Sequence, residues 1–264
     1  MLRNVQKGFV TGRGRDRRAA LAVQDVSLEI QPGEFVSFIG PSGCGKSTVL
    51  NMLAGLERAS AGEVRQGASP IDRVNTNVGY MTQDDNLLPW RTLARNVEFP
   101  LEIRGVPRRT RAAEARRILA QVGLERYGDY YPHQLSGGMR KRGALVRTLL
   151  ADDPVILMDE PFGPLDAQNR RMLQDQLLHL WSNSGKTIVF VTHDLVEAVT
   201  LSDRIVVFTS APGTIKRVHT VDLPRPRDVF RIHETPGFDE IYNPVWDDLR
   251  EEIAKVASVE RQAS

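Results

Sequence analysis

Two rhythms of apolar residues alternate along this chain. Short apolar runs bounded by turn residues predict strands near 23–30, 35–39, 77–82, 155–158, 187–192 and 204–209. Helical patterns are predicted near 46–57, 110–122, 137–151, 168–184, 194–201 and 238–256. The stretch Val23-Gln24-Asp25-Val26-Ser27-Leu28-Glu29-Ile30 alternates like a half-buried strand, whereas Val155-Ile156-Leu157-Met158 is apolar throughout and reads as a buried one. Strands alternating with helices imply an α/β fold with a largely parallel sheet covered on both faces.

The segment 88–150 interrupts that alternation. It is helix-rich and carries Arg104, Arg108, Arg109, Arg111, Arg116 and Arg117, and it reads as a helical subdomain inserted between two core strands. The expected layout is one domain over 1–264. Its core spans 1–87 and 151–222, its helical subdomain 88–150, and its Pro-rich tail 223–264 ends in an amphipathic helix. A length of 264 residues, near the upper limit for one hydrophobic core, agrees with one domain plus a subdomain.

Composition narrows the partners more than the fold. A formal net charge of +2 makes no electrostatic case for nucleic acid or an anionic membrane, and no nucleic-acid partner is expected. Arg13, Arg15, Arg17 and Arg18 cluster near the start and read as a solvated loop. No apolar run approaches the roughly 18 residues needed to span a bilayer. The early arginines lack the apolar stretch of a secretory signal. The single cysteine, Cys44, excludes an internal disulfide and suits a reducing compartment.

The chemistry sits at the ends of the predicted strands. Gly40-Pro41-Ser42-Gly43-Cys44-Gly45-Lys46-Ser47-Thr48 fits the phosphate-loop pattern G-x-x-x-x-G-K-[ST] in full, between a predicted strand and a predicted helix. Its glycines let backbone N–H groups turn inward around phosphates. Lys46 supplies a charge to the β- and γ-phosphates, and the Ser47 hydroxyl is a Mg²⁺ ligand. Farther on, a buried strand ends in Asp159-Glu160. Adjacent carboxylates suit a cation and a nucleophile that need separate partners, with Asp159 for Mg²⁺ and Glu160 as general base toward water. Gln83 and His193 also follow strands, at the edge where open parallel sheets bind ligands. Gln83 suits contact with Mg²⁺ and the attacking water; His193 suits a hydrogen bond to the γ-phosphate. Finally, Ser136 in Leu135-Ser136-Gly137-Gly138-Met139 is placed to cap a helix, and helix N-termini bind anions. Two separate phosphate-binding devices in one chain are readily explained by two subunits sharing two nucleotides.

With these pieces in this order, the chain resembles the ATP-binding subunit of an ABC transporter, from about residue 5 to residue 253. Residues 40–48 match the Walker A loop, Gln83 the Q-loop, Leu135 to Met139 the signature, and Val155 to Asp159 Walker B, followed by Glu160. Gly163-Pro164-Leu165-Asp166 resembles the D-loop, and His193 the switch histidine. The resemblance implies a P-loop NTPase fold of the RecA-like kind: a mostly parallel sheet core, an N-terminal antiparallel β portion and the inserted helical subdomain. It implies ATP and Mg²⁺ as cofactors and Phe9 stacked on adenine. In a head-to-tail homodimer, Ser136, Gly137, Gly138 and Asp166 complete a partner's nucleotide site; hydrolysis releases the dimer. Three positions depart from the family's commonest wording. Met139 and Lys141 stand where glutamine is usual, and Pro164 where alanine is usual, a change expected to stiffen the contact between subunits.

The wording Gln83-Asp84-Asp85-Asn86-Leu87-Leu88-Pro89-Trp90-Arg91-Thr92 is similar to that of the nitrate, sulfonate, taurine and bicarbonate importer group. So are Pro226-Arg227-Asp228-Val229-Phe230 and Glu234-Thr235-Pro236-Gly237-Phe238. This resemblance implies a peripheral subunit on the cytoplasmic face of the plasma membrane. Its transmembrane permease would dock on residues 83–92, with Leu87, Leu88 and Trp90 as an apolar patch, and an extracytoplasmic substrate-binding protein would act indirectly. An exporter ATPase, or a soluble ABC ATPase acting on nucleic acid or ribosomes, is the alternative. The soluble kind carries long coiled-coil insertions or tandem cassettes, and this sequence shows neither.

Overall fold

The chain opens on an antiparallel pair, β1 (Leu2–Thr11) with β2 (Arg18–Leu28), whose second strand takes in Val23 to Leu28 of the alternating stretch. The computed structural model describes residues 1–11, 18–182 and 184–263. Arg13, Arg15 and Arg17 therefore lie outside the described residues. The chain divides into two compact units, residues 1–76 with 187–264 and residues 77–186.

In the first unit, Leu2, Val5, Val23, Val26 and Leu28 of the β1–β2 pair are buried; register shifts along the pair, with Asn4 and Asp25 at φ 47°, let residues three apart turn to the same side. Strands β4 (Ala61–Gln66) and β5 (Ser69–Pro70) extend it to the order β2-β1-β4-β5. The second sheet centres on β3 (Phe35–Ile39), buried at all five positions. It runs parallel to β8 (Thr187–Val191) and β9 (Arg204–Phe208), and β9 pairs antiparallel with β10 (Ile215–Thr220). Both faces of β3 and β8 are covered, which explains their unbroken apolar sequences. Phe35 packs on Phe190 and Phe38 on Phe208, with ring centroids 5.8 and 5.3 Å apart. Ser37, the polar exception, is fully buried and hydrogen-bonded to Ser202.

Three helices serve this unit: α1 (Lys46–Leu53) after β3, α7 (Leu195–Leu201) after β8, and α8 (Phe238–Ala263) in the tail. Phe238, Val245 and Leu249 of α8 join Leu195, Ala198 and Val199 of α7 in one apolar cluster. The buried Arg227 guanidinium donates to the carbonyls of Val199, Thr200 and Ser202 at the end of α7, and to those of Val221 and Leu223. A cation suits a helix C-terminus, whose last carbonyls have no partner within the helix. Burial, reinforced by Arg225, pushes this guanidinium down to about 10.

In the second unit, β6 (Val78–Met81) and β7 (Val155–Asp159) run parallel with Met81 opposite Met158. Five helices accompany them: α2 (Leu93–Val97), α3 (Phe99–Ile103), α4 (Arg108–Gln121), α5 (Gly137–Leu150) and α6 (Ala167–Ser182). Several arginines have structural roles here. Arg95 and Arg111 flank the buried Glu98, Arg91 pairs with Glu102, and Arg104 pairs with the buried Asp153.

The periodicity anticipates β3, β6–β9 and the long helices. It does not anticipate β1, β4, β5, β10, α2 or α3, and of β2 it anticipates only the second half. Helix α1 stops at Leu53 rather than near 57, and α8 runs on to Ala263 rather than ending near 256. Among the described residues, no helix is long and apolar enough to cross a membrane.

Candidate functional site

Phe9, residues 40–48 and His193 belong to the first unit; Gln83, the Ser136 segment, Asp159, Glu160 and Asp166 belong to the second.

The loop from Gly40 to Gly45 leaves β3 and enters α1 through backbone conformations that favour glycine. Gly45 has φ 96°, and a Cβ there would lie 2.7 Å from Val23 Cγ2 and 2.8 Å from the Ala22 carbonyl oxygen. Position 45 is thus closed to other residues by both conformation and space. The buried Lys46 ammonium is folded back under the loop, donating to the Gly40 and Pro41 carbonyls at 2.8 and 2.9 Å. The backbone N–H groups of the first turn of α1 have no intrahelical acceptor, which makes this turn a fitting anion cradle. Cys44 is fully buried, with Sγ 3.6 Å from Lys46 Nζ, and burial raises its thiol pKa against the opposing pull of that ammonium.

Phe9 lies opposite Ala20 on the neighbouring strand, two residues from the Ala22 carbonyl that abuts Gly45. Strand spacing and rise put its backbone roughly 8 Å from Ala22. The ring is 37% exposed, so it is not a core aromatic, and Lys7 Nζ stands 4.9 Å from its centroid. His193 follows β8, whose Val191 pairs with Phe38 of β3, so the histidine and the phosphate loop leave adjacent strand ends. Its turn is fixed on both sides. Thr192 Oγ1 donates to Glu197 at 2.6 Å, and Asp194 caps α7 by accepting from Val196 N and Glu197 N.

In the second unit, Gln83 and Glu160 each lie two residues beyond the paired Met81 and Met158. Their side chains converge on Gly163. Gln83 Nε2 and Glu160 Oε2 lie 3.8 and 3.9 Å from the point a Cβ would occupy there. Glu160 holds φ 43°, a conformation rare for a residue with a side chain. Asp159 and Glu160 are half-buried. Burial, then the charge of Asp159, raises the Tyr80 phenol to about 12.

Ser136 caps α5, its Oγ accepting from Met139 N at 3.3 Å, and it is exposed with Gly137. Asp166 caps α6 by accepting from Asn169 N and Nδ2 at 2.9 and 2.7 Å. Those two bonds lower its carboxyl pKa. The same Asn169 crowds the signature: a Cβ on Gly138 would lie 3.1 Å from Asn169 Oδ1. Asn169 therefore completes the cap with Asp166 and leaves little room for a side chain at position 138.

Residues 87–90 differ from the expected patch. Leu87 is buried, Leu88 is half-buried and Trp90 is 71% exposed. The organiser is Asn96, which the sequence did not mark out. From full burial its side chain accepts from Leu88 N and donates to the carbonyls of Leu88, Arg91 and Thr92. Lys141, marked in the sequence only as a departure from the usual glutamine, is a second organiser. It is buried, and its ammonium donates to the carbonyls of Thr82 and Gln83. Burial pushes it down to about 8 against the pull of Asp85 and Asp84. A lysine amid the polar residues that follow the signature carries no pattern of burial, so only the fold reveals its partners.

Comparison with known proteins places the chain in a family. Residues 23–163 match the family model described as ABC transporter. An uncharacterized ABC transporter ATP-binding protein of Methanocaldococcus jannaschii is 44% identical over 234 residues, 89% of this chain and 86% of that protein. An aliphatic sulfonates import ATP-binding protein of Xanthomonas axonopodis is 47% identical over 207 residues, 78% of this chain and 82% of its own length. Among solved structures, a dimeric ATP-binding cassette in a post-hydrolysis state, bound to ADP and Pi, superposes with a TM-score of 0.71. It shares 33% identity, over 83% of this chain and 97% of its own.

Proposed function

We propose, from the premise that this chain belongs to the ABC transporter family and is one of its ATP-binding, ATP-hydrolysing P-loop subunits, that it powers import of a small anion. Nitrate, a sulfonate, taurine or bicarbonate is the solute class. The similarity to an aliphatic sulfonates import subunit supports this class, together with the 83–92 wording. The observation that carries the nucleotide chemistry is the built phosphate cradle: a glycine-only turn at Gly45 beneath which a buried Lys46 waits on two loop carbonyls.

Each residue then has one task. Phe9 stacks on adenine, and the exposed flank of its ring suits that. Residues 40–48 wrap the phosphates, Lys46 exchanging the Gly40 and Pro41 carbonyls for phosphate oxygens. By the family resemblance Ser47, Asp159 and Gln83 would hold Mg²⁺, and their hydroxyl, carboxylate and amide oxygens are donors that this hard cation prefers. When bound, the cation neutralises charge on the β- and γ-phosphates. Glu160 accepts the proton of the attacking water, with Gln83 orienting it. His193, held by the Thr192 and Asp194 turn, donates to the γ-phosphate. Ser136, Gly137, Gly138 and Asp166 serve the nucleotide of a second copy, the helix N-terminus facing its charge. The chain works as a homodimer closed by ATP, peripheral to the cytoplasmic face of the membrane. The helical segment 88–150 presents the signature, and permease subunits dock around residues 83–92.

Co-expression with a permease encoded beside it tests this reading. The expected result is a detergent-stable complex whose ATPase responds to the binding protein loaded with its anion. A chain that stays partnerless beside every neighbouring permease overturns it.

A further inference from the structure

Helix α5 begins at the signature and carries three cations that all reach one short stretch, residues 82–86, two of them through its main-chain carbonyls. Lys141 Nζ donates to the carbonyls of Thr82 and Gln83. Arg147 donates to the carbonyls of Asp85 and Asn86 at 2.9 and 2.7 Å. Arg140 Nε donates to the Asp85 carboxylate at 2.9 Å and its Nη1 to the Leu135 carbonyl at 2.8 Å. The stretch also braces itself. Asn86, at φ 46°, donates from Nδ2 to Thr82 Oγ1 at 2.5 Å, and Thr82 Oγ1 donates to the Asp84 carbonyl at 3.1 Å.

Of the three, Lys141 is the innermost, only 4% exposed. Its two acceptors belong to the peptide groups immediately before and after the Gln83 α-carbon. Fixing both planes fixes the backbone torsions of Gln83, and those set the direction in which its side chain leaves. That side chain is the one converging with Glu160 on Gly163. Guanidinium contacts at Asp85 and Asn86 hold the stretch against α5 but do not reach the Gln83 planes.

We propose that Lys141 is a positioning residue for Gln83: an ammonium sent inward from the signature helix clamps both peptide groups of Gln83, so that its amide and the Ser136 cap move as one piece. This inference rests on the reading of Gln83 as a contact of the metal and attacking water. The resemblance places glutamine at position 141 in related chains, a shorter neutral donor, so the clamp is a property of this sequence. A rigid link has a mechanical consequence. Displacement of α5 by a second subunit reaches Gln83 without slack, and displacement of residues 84–90 by a partner reaches Ser136 by the same route.

Lys141→Met removes the donors at nearly constant length, and Lys141→Gln keeps two of them. Amide hydrogen exchange over residues 82–88 is the readout independent of turnover. Loss of hydrogen bonds from a charged donor predicts about tenfold faster exchange there in Lys141→Met. It also predicts about tenfold lower kcat at unchanged nucleotide affinity, with partial recovery of both in Lys141→Gln. Unchanged exchange in Lys141→Met overturns the clamp. A lower melting temperature with unchanged kcat per folded molecule reduces Lys141 to a packing residue and overturns the positioning role. Gln83→Ala separates the layers. If it loses turnover while Lys141→Met does not, Lys141 alone is misassigned. If it keeps full turnover, the reading of Gln83 falls, and the positioning role with it.

Discussion

Glu160, the general base of the proposed function, has a left-handed backbone at φ 43°, a conformation that costs an ordinary residue about 1–3 kcal/mol. Such strain persists where a side chain must be aimed, here toward the space over Gly163 that it shares with Gln83. Glu160→Gln keeps the shape and removes the base. Turnover should fall by about 10²–10⁴-fold while ATP binding survives, the range expected for a lost proton acceptor. Steady-state ATPase assays with sizing chromatography check this, and a monomer with normal activity would refute the role. Gly45→Ala is the complementary prediction. A Cβ at 2.7–2.8 Å from Val23 and Ala22, at φ 96°, must push the cradle apart. It should lower stability by about 1–3 kcal/mol and abolish tight nucleotide binding, as read by denaturant melts and a fluorescent ATP analogue. Both residues were legible in the sequence because the phosphate loop and the acid pair are contiguous words following apolar strands.

Elements were legible where burial is uniform and illegible where long-range contacts decide. β3 and β8 announce themselves because both faces are buried. α2 and α3 are five residues each, too short for a periodic signal, and they hold together through the Glu98 ion pairs. β10 is an edge strand with half-buried and exposed positions only. The loop ahead of α2 depends on Asn96, a polar residue whose four hydrogen bonds all go to backbone. Asn96→Ala leaves those groups unpaired. It should cost about 2–4 kcal/mol, somewhat more than one unsatisfied buried group, and loosen residues 88–92; urea melts and exchange of that peptide measure both. At the end of α7, Arg227→Met removes a cation from five carbonyls. About 2–3 kcal/mol of stability should be lost, as for hydrogen bonds to a charged group, with no change in nucleotide affinity.

At the scale of the whole molecule, the proposed function gives the chain more phosphate-binding devices than one nucleotide needs. Ser136→Arg places a large cation at the exposed cap of α5. Nucleotide should still bind the isolated chain, while cooperative hydrolysis disappears; a Hill coefficient near that of wild type would contradict the shared arrangement. Trp90 is exposed, unlike the buried Leu87, so within the proposed permease-docking stretch it is the residue open to contact. Trp90→Ala should leave the ATPase of the isolated chain unchanged and weaken co-purification. The proposed division of labour between subunits rests on the signature read in the sequence, whereas Trp90's exposure required the fold, since Leu87, Leu88 and Trp90 read alike along the chain. Cys44 also acquires a meaning at this scale. It is the one sulfhydryl among 264 residues, it has no solvent exposure, and burial keeps it protonated. The native chain is thus close to a thiol-free background. A cysteine introduced at position 90 or 136 would take a spectroscopic label selectively, with no prior replacement in the nucleotide loop.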